Sequence, residues 1–317
     1  MLLRLLREAL EEVGVEGSVV AVDSQRASSA FHLADESFLV PPCTDADFLP
    51  AMLDLCRRKE IRLVVPTIDV ELAAWASVRD ACYEQDGMAI AVSSPKVIEI
   101  AADKAETNGW LRDNGFPATH QLEHDHFLRP GSGELFPVVV KPRRGSSSDG
   151  VTVARDLDML RAVTTPDDVI EAVAPGTEYT IDVLVGRDGR TRCAVPRRRV
   201  EVRGGEVSKA VVERRRELME LASDIGDALP GAYGVLNIQL MRDDDTSECQ
   251  VIEINPRFGG GFPLTSVAGG RFPTWLIEEI LGLPSSQPRA AWKDGMAMLR
   301  YDEAVYLDAR AAGLDRA

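Results

Sequence analysis

Apolar positions in the first 95 residues follow two rhythms. Residues 1–13 place Leu2, Leu3, Leu6, Leu10 and Val13 at helical spacing, and residues 48–58 do the same with Leu49, Met52, Leu53, Leu55 and Cys56. Each pattern predicts an amphipathic helix. Between and after them lie short unbroken apolar runs: SVVAVD at 18–23, a segment ending at 38–42, IRLVVP at 61–66 and MAIAV at 88–92. Runs of that length predict buried strands, with a helical stretch between the last two. Alternating helix and strand predicts an α/β unit whose parallel sheet carries helices on both faces. Such a unit ordinarily opens on a strand, whereas this chain opens on a helix and has no G-x-G-x-x-G turn near its start. The first strand is therefore expected to be missing, through either a start codon assigned too late or a genuine loss.

Beyond residue 95 the rhythm changes. Helical spacing runs over about 95–114, broken near Asp103, and is followed by two strands, 137–142 and 150–155, around a Gly/Ser turn. From residue 168 the chain is strand-rich (DVIEAV, EYTIDVLV, TRCAVPRRRVEV), and then Leu218, Leu221, Ala222, Ile225 and Leu229 mark one face of a helix. Strands at 235–241 and 249–254 are joined through Asp243, Asp244 and Asp245, which read as a solvated hairpin tip. The expected units are residues 1–95, 96–167 and 168–290, with a tail at 291–317. No internal repeat or low-complexity tract interrupts them.

Composition narrows the function classes. A chain of 317 residues allows about two domains. A formal net charge of −15 repels phosphate backbones, so nucleic acid is not an expected partner. Apolar runs stay far below the ~20 residues of a membrane span, and the charged start is not a signal peptide, so no membrane partner is expected either. Five scattered cysteines, none in C-x-x-C spacing, read as reduced thiols of a cytoplasmic protein.

The chemistry concentrates in the last strand pair. In VLNIQL at 235–240, Leu236, Ile238 and Leu240 share one face and Asn237 and Gln239 the other. In VIEINPR at 251–257, Ile252 and Ile254 share a face opposite Glu253 and Asn255, and Arg257 follows. Amide and carboxylate oxygens from adjacent strands are hard donors suited to Mg²⁺ that keeps waters and takes phosphate oxygens. Gly259, Gly260 and Gly261 would allow close backbone approach. Upstream, Lys141 ends a strand before a loop containing Ser146 and Ser147, a pairing of point charge and backbone N–H donors that suits phosphate. Each feature alone also suits a wet sheet face or a surface hairpin. Residues 190–216 hold ten Arg and Lys against three Glu. Arg197 and Arg199 point the same way there, so one or both are expected to bind an anionic substrate, with Lys209 as a further γ-phosphate candidate. His120, His124 and His126 read as an exposed loop.

Taken in order, Lys104, Lys141 with its Gly/Ser turn, Glu171-x₆-Glu178, Asn237-x-Gln239 and Glu253-x-Asn255-x-Arg257 resemble the motifs of the ATP-grasp enzymes. The last two look most like the large subunit of carbamoyl-phosphate synthase, and the layout is similar to D-alanine–D-alanine ligase. The resemblance covers roughly residues 96–285. More loosely, the first unit resembles the Rossmann-like pre-ATP-grasp domain. It implies an α+β ATP-grasp fold whose two subdomains clasp ATP. In that fold Lys104, Lys141, Ser146 and Ser147 meet the phosphates, Glu171, Val173 and Ile252 the adenine, and Glu178 the ribose. Gln239, Glu253 and Asn255 would hold Mg²⁺, with Mn²⁺ as an alternative, and Asn237 and Arg257 would face the transferring phosphoryl group. The implied activity is an ADP-forming carboxylate–amine ligase that joins a small-molecule acid and an amine, amino-acid or peptide-like, through an acyl phosphate. A homodimer is the expected assembly. A single nucleotide-site set and the lack of a Met-Lys-Met carrier sequence speak against two-site carbamoyl phosphate synthesis and biotin carboxylation. A phosphotransferase and a non-catalytic ATP-binding protein remain as alternatives.

Overall fold

The computed structural model describes residues 1–123, 127, 135–145, 149–287 and 292–315. Ser146, Ser147, His124 and His126 lie outside the described residues. The chain begins with α1 (Leu2–Val13), β1 (Val20–Asp23), α2 (Ser29–Leu33), β2 (Glu36–Leu39), α3 (Phe48–Arg58), β3 (Leu63–Val64), α4 (Asp69–Asp86) and β4 (Ala89–Ile90). β1 pairs with β2 and β3 with β4, both in parallel as the alternating pattern predicts, but as two separate two-stranded sheets and not the single sheet expected. Phe48, Met52 and Cys56 of α3 recur at i, i+4 and i+8 and bury one stripe against Leu72, Trp75 and Ile90. α1 is a helix as expected but does not cover this core. Its Leu5 joins the cluster of Phe272 and Trp275 instead. Glu12 there accepts from Thr274 at 2.7 Å.

The middle unit comprises α5 (Pro95–Ala102), α6 (Lys104–Asp113), β5 (Gln121–Leu122), β6 (Val138–Pro142), β7 (Thr152–Ala154), α7 (Leu157–Val163) and β8 (Asp168–Ala172). Its sheet runs β5-β8-β6-β7, antiparallel throughout. The break near residue 103 has a local cause. Asp103 leaves the helical region and its carboxylate accepts from Ala105 N at 3.0 Å, capping α6.

The third unit holds β9 (Thr177–Val185), β10 (Thr191–Arg203), β11 (Glu206–Val212), α8 (Arg216–Ala228), β12 (Gly234–Arg242), β13 (Cys249–Asn255), α9 (Phe262–Ala268), α10 (Phe272–Ile280) and β14 (Ala297–Leu299). The sheet order is β13-β12-β9-β10-β11-β14. Its edge strand β14 pairs with β11, so residues 297–299 of the expected tail belong to the sheet. One face carries Ile181, Val183, Leu236 and Ile238 and is sealed by Leu218, Ala222 and Ile225 of α8. The opposite face is divided. Leu184, Val195, Val235 and Val212 form an apolar half under α9 and α10, and the remainder is polar. That polar half is the floor of the cleft. Among the described residues no helix is long and apolar enough to cross a membrane.

Candidate active site

Strand register builds the floor. Across β12 and β13, Gln239 lies directly opposite Glu253 and Asn237 opposite Asn255. Across β12 and β9, Gln239 pairs with Thr180 and Asn237 with Asp182. Thr180, Asn237, Gln239, Glu253 and Asn255 line one cleft of about 250 Å³ together with Lys104, Lys141 and Arg257, while Asp182 is buried beneath it. The alternation expected for β13 fails at one residue. Gln239 pairs with Glu253 but Leu240 with Val251, so Ile252 is an inserted bulge residue. Val251 and Ile254 stay in the core, while Ile252 lines the cleft beside Glu253 and no longer shares the face of Ile254.

Charge in the cleft is paired unevenly. Arg199 Nη1 donates to Glu178 Oε1 at 2.7 Å and to Gln239 Oε1 at 2.8 Å. Burial pushes the Glu178 carboxyl up, with Glu253 adding to the rise and Arg199 opposing it. Lys104 donates to the Gly145 carbonyl at 3.0 Å, and burial draws its ammonium down against the pull of Glu253. Glu253 has no cation within ion-pair distance among the described residues. Its Oε1 accepts only the amide of Asn255, at 2.8 Å. Among the described residues no three His, Cys, Asp or Glu converge on a metal position. One uncompensated carboxylate flanked by the amides of Gln239 and Asn255 is nevertheless a hard-oxygen set, and it fits a Mg²⁺ that keeps waters and phosphate oxygens. These three residues would hold it.

Three consecutive glycines roof the floor. A Cβ on Gly259 would meet Asn237 Nδ2, one on Gly260 would meet Glu206 Oε2, and one on Gly261 would meet Arg197 Nη1, all closer than 3.0 Å. None of the three has a positive φ, so contact and not backbone conformation excludes side chains here. The glycines line the cleft, where close approach of a ligand is expected, and they also admit the sheet's own polar groups.

Several sequence expectations change. Arg197 does line the cleft, as does Arg199, but it is 1% exposed and its Nε and Nη2 donate to Asp182 at 2.7 and 3.1 Å, so most of its guanidinium is committed to a buried pair. Its Nη1 alone is unpartnered. Asn237 lines the cleft, but its amide nitrogen donates to Asp182 at 2.8 Å. Lys209 does not reach the cleft. Arg199 pairs with Ala210, so the next residue along β11 faces away, and Lys209 bonds Glu201 at 2.6 Å. Glu171 lies behind the cleft wall, where it accepts from Lys141 at 2.5 Å and from Thr119 at 2.7 Å. Val173 is 45% exposed and outside the cleft lining. Arg257 does border the cleft, but two of its nitrogens are taken by Asp69. Asp182 was missed by the sequence reading, although its parity with Glu178 and Thr180 along β9 could have found it. Nothing in the local pattern marks Asp69.

Two antiparallel sheets bordering a cleft with two lysines on one side and opposed amides and a carboxylate on the other define a nucleotide-grasping class of fold. Comparison with known proteins agrees. The family described as "ATP-grasp in the biosynthetic pathway with Ter operon" matches residues 164–304, and "PylC-like, N-terminal domain" matches residues 1–90. The chain is 27% identical over 289 residues to the N-terminal section of the carbamoyl phosphate synthase large chain of Methanopyrus kandleri, covering 83% of this chain and 50% of that protein. It is 25% identical to the carbamoyl phosphate synthase large chain of a Mycobacterium species, covering 82% of this chain and 25% of that protein. It thus spans half or less of the length of these curated relatives. The biotin carboxylase domain dimer of Hydrogenobacter thermophilus 2-oxoglutarate carboxylase, solved with MgADP, ADP and bicarbonate, superposes with a TM-score of 0.71 at 19% identity over 93% of this chain and 70% of that one. N5-carboxyaminoimidazole ribonucleotide synthetase from Thermotoga maritima gives 0.61 at 20% identity over 90% and 74%. The chain resembles the ATP-grasp enzymes in sequence, including the carbamoyl-phosphate synthase likeness its motifs suggested, and it has their fold.

Proposed function

We propose that the chain is an ATP- and Mg²⁺-dependent carboxylate–amine ligase. The observation that carries this reading is the direct opposition of Gln239 with Glu253 and Asn237 with Asn255, in a cleft that Lys104 and Lys141 also line. A carboxylate is a poor acyl donor because its leaving group would be oxide. In the proposed reaction a carboxylate oxygen attacks the γ-phosphorus of ATP and ADP leaves. The amine nitrogen then attacks the acyl carbon, phosphate departs and the nitrogen loses a proton. Such phosphoryl transfer depends on positioning and charge neutralisation. Bound Mg²⁺, or Mn²⁺ in its place, would neutralise phosphate charge as a Lewis acid. Lys104 and Lys141 supply cations to the phosphates, and the Glu171 carboxylate holds the Lys141 ammonium in place. Glu178 offers acceptors for ribose hydroxyls, Ile252 an apolar wall for the base, and Arg257 a donor to the transferring group. We assign the clasp to residues 96–167 and 168–290 extended by β14, and the preceding wall to residues 1–95.

The test is a screen of acid and amine pools with the full chain and MgATP, read as ADP release and product mass. Release that requires both an acid and an amine, with a product one water lighter than their sum, supports ligation. Release with a single substrate and a stable phosphorylated product would make the chain a phosphotransferase. MgATP binding without turnover would make it a non-catalytic binding protein. We also propose a homodimer, and a molar mass by light scattering equal to one chain would overturn it.

A further inference from the structure

Arg257 follows β13, but its guanidinium is fixed by a residue of the N-terminal unit. Nε donates to Asp69 Oδ1 at 2.6 Å and Nη2 to Asp69 Oδ2 at 2.7 Å, a two-pronged pairing across 188 positions of sequence. Nη1 donates to the Phe258 carbonyl at 3.2 Å. A guanidinium carries five N–H bonds in one plane. Three are used here, which leaves two, one on each terminal nitrogen. With one edge clamped by a carboxylate, the plane and the direction of that remaining pair are set by where Asp69 stands.

Asp69 is itself held. It is the first residue of α4, where the helix dipole favours a carboxylate. Glu71 locks that turn by accepting from Thr67 N at 2.7 Å and Ile68 N at 3.2 Å. Its other oxygen accepts the indole N–H of fully buried Trp75 at 3.2 Å. The chain of restraint therefore runs from the core of the first unit, through the first turn of α4, to a donor at the cleft.

We propose that Asp69 is a positioning residue. It aims the two remaining N–H groups of Arg257 at an anion beside Gln239 and Glu253, either the transferring phosphoryl group or the carboxylate that receives it. This rests on the nucleotide reading of the cleft. The opposing view, in which Arg257 acts only as a charge, makes the opposite prediction. Removing the negative charge of Asp69 would then strengthen anion binding, whereas loss of positioning weakens it.

The experiment uses the full chain, with MgADP and then MgADP plus orthovanadate as probes. Asp69→Asn is expected to leave MgADP affinity within about twofold and to weaken vanadate about tenfold, the effect of losing aimed charge-assisted hydrogen bonds. Arg257→Ala should weaken vanadate similarly, and the double variant no further. Arg257→Lys, which keeps the charge and loses the fork, should also weaken vanadate and gives a second route if Asp69→Asn does not fold. Unchanged or tighter vanadate binding in Asp69→Asn or Arg257→Lys, with MgADP binding intact, overturns the positioning role. A parent that binds MgADP but no vanadate also overturns it. A parent that binds no MgADP removes the nucleotide reading and the inference with it.

Discussion

The buried pair under the glycine loop gives the sharpest stability prediction. Asp182 is 0% exposed and Arg197 1%. The Asp182 carboxylate accepts from Arg197 Nε at 2.7 Å and Nη2 at 3.1 Å, from Asn237 Nδ2 at 2.8 Å, and from Thr265 Oγ1. Asp182→Ala leaves a buried guanidinium without its counter-charge, and two further donors without an acceptor. Breaking a buried pair from one side costs about 3–5 kcal/mol. At about 2–4 °C per kcal/mol for a domain of this order, the midpoint should fall by about 6–20 °C. Thermal unfolding by circular dichroism, with urea midpoints at unchanged slope, measures it. Replacing both partners by apolar residues of similar volume, as in Asp182→Leu with Arg197→Met, should recover most of the loss, because burial of unpaired charge is the cause. The reasoning fails if Asp182→Ala stays within about 1 kcal/mol of the parent, below the range for a broken buried pair. It also fails if the double variant is as unstable as the single one, since packing would then be the cause. Arg197→Ala, which the sequence suggests should raise a substrate KM, is expected to act first on folding.

Other expectations follow from the same contacts. Gly259→Ala and Gly261→Ala should each cost about 1–3 kcal/mol by urea unfolding, because Asn237 and Arg197 are pinned by Asp182 and cannot yield. Gly260→Ala should cost far less, since half-exposed Glu206 can swing away, and equal losses at all three positions would contradict this account. Glu253→Ala should abolish Mg²⁺-dependent ATP turnover and the gain in ADP affinity that Mg²⁺ gives in calorimetry; near-parental turnover in a folded variant removes the metal assignment. For Glu178, whose carboxyl is raised chiefly by burial, the folded chain keeps the proton to higher pH than the unfolded chain. Stability contributed by this group therefore falls as pH rises from the ordinary carboxylate value through the raised one. Glu178→Gln should flatten that fall in urea midpoints taken at stepped pH, and an unchanged slope counts against it.

What the sequence made legible is what period and spacing encode. The faces of Asn237, Gln239, Glu253 and Asn255 follow from two-residue alternation, and the register confirms their opposition. The helix break at Asp103 is a cap, and the alternating first unit is the parallel pairing it suggests. The pattern hid other elements for physical reasons. The two helices that start at Phe262-Pro263 and Phe272-Pro273 went unread, and in each the proline sits in the first turn, where its missing N–H costs nothing. The charged residues of EVSKAVV masked β11, and with it the parity that turns Lys209 away from the cleft. Arg197 and Arg257 were recognisable as special, but their partners Asp182 and Asp69 are set by the sheet and by the docking of the first unit, which no local window contains.

Ile252 is the one residue of β13 that the ladder does not need. Its removal would leave Gln239 facing Glu253 and Leu240 facing Val251 in unbroken alternation, with core and polar groups on the sides they already occupy. The hydrogen-bonded frame would close over the gap, and only the cleft would lose a greasy surface. A single-residue deletion, usually the most disruptive change a strand can suffer, becomes at this position a scalpel that trims what the cleft can hold while sparing the scaffold.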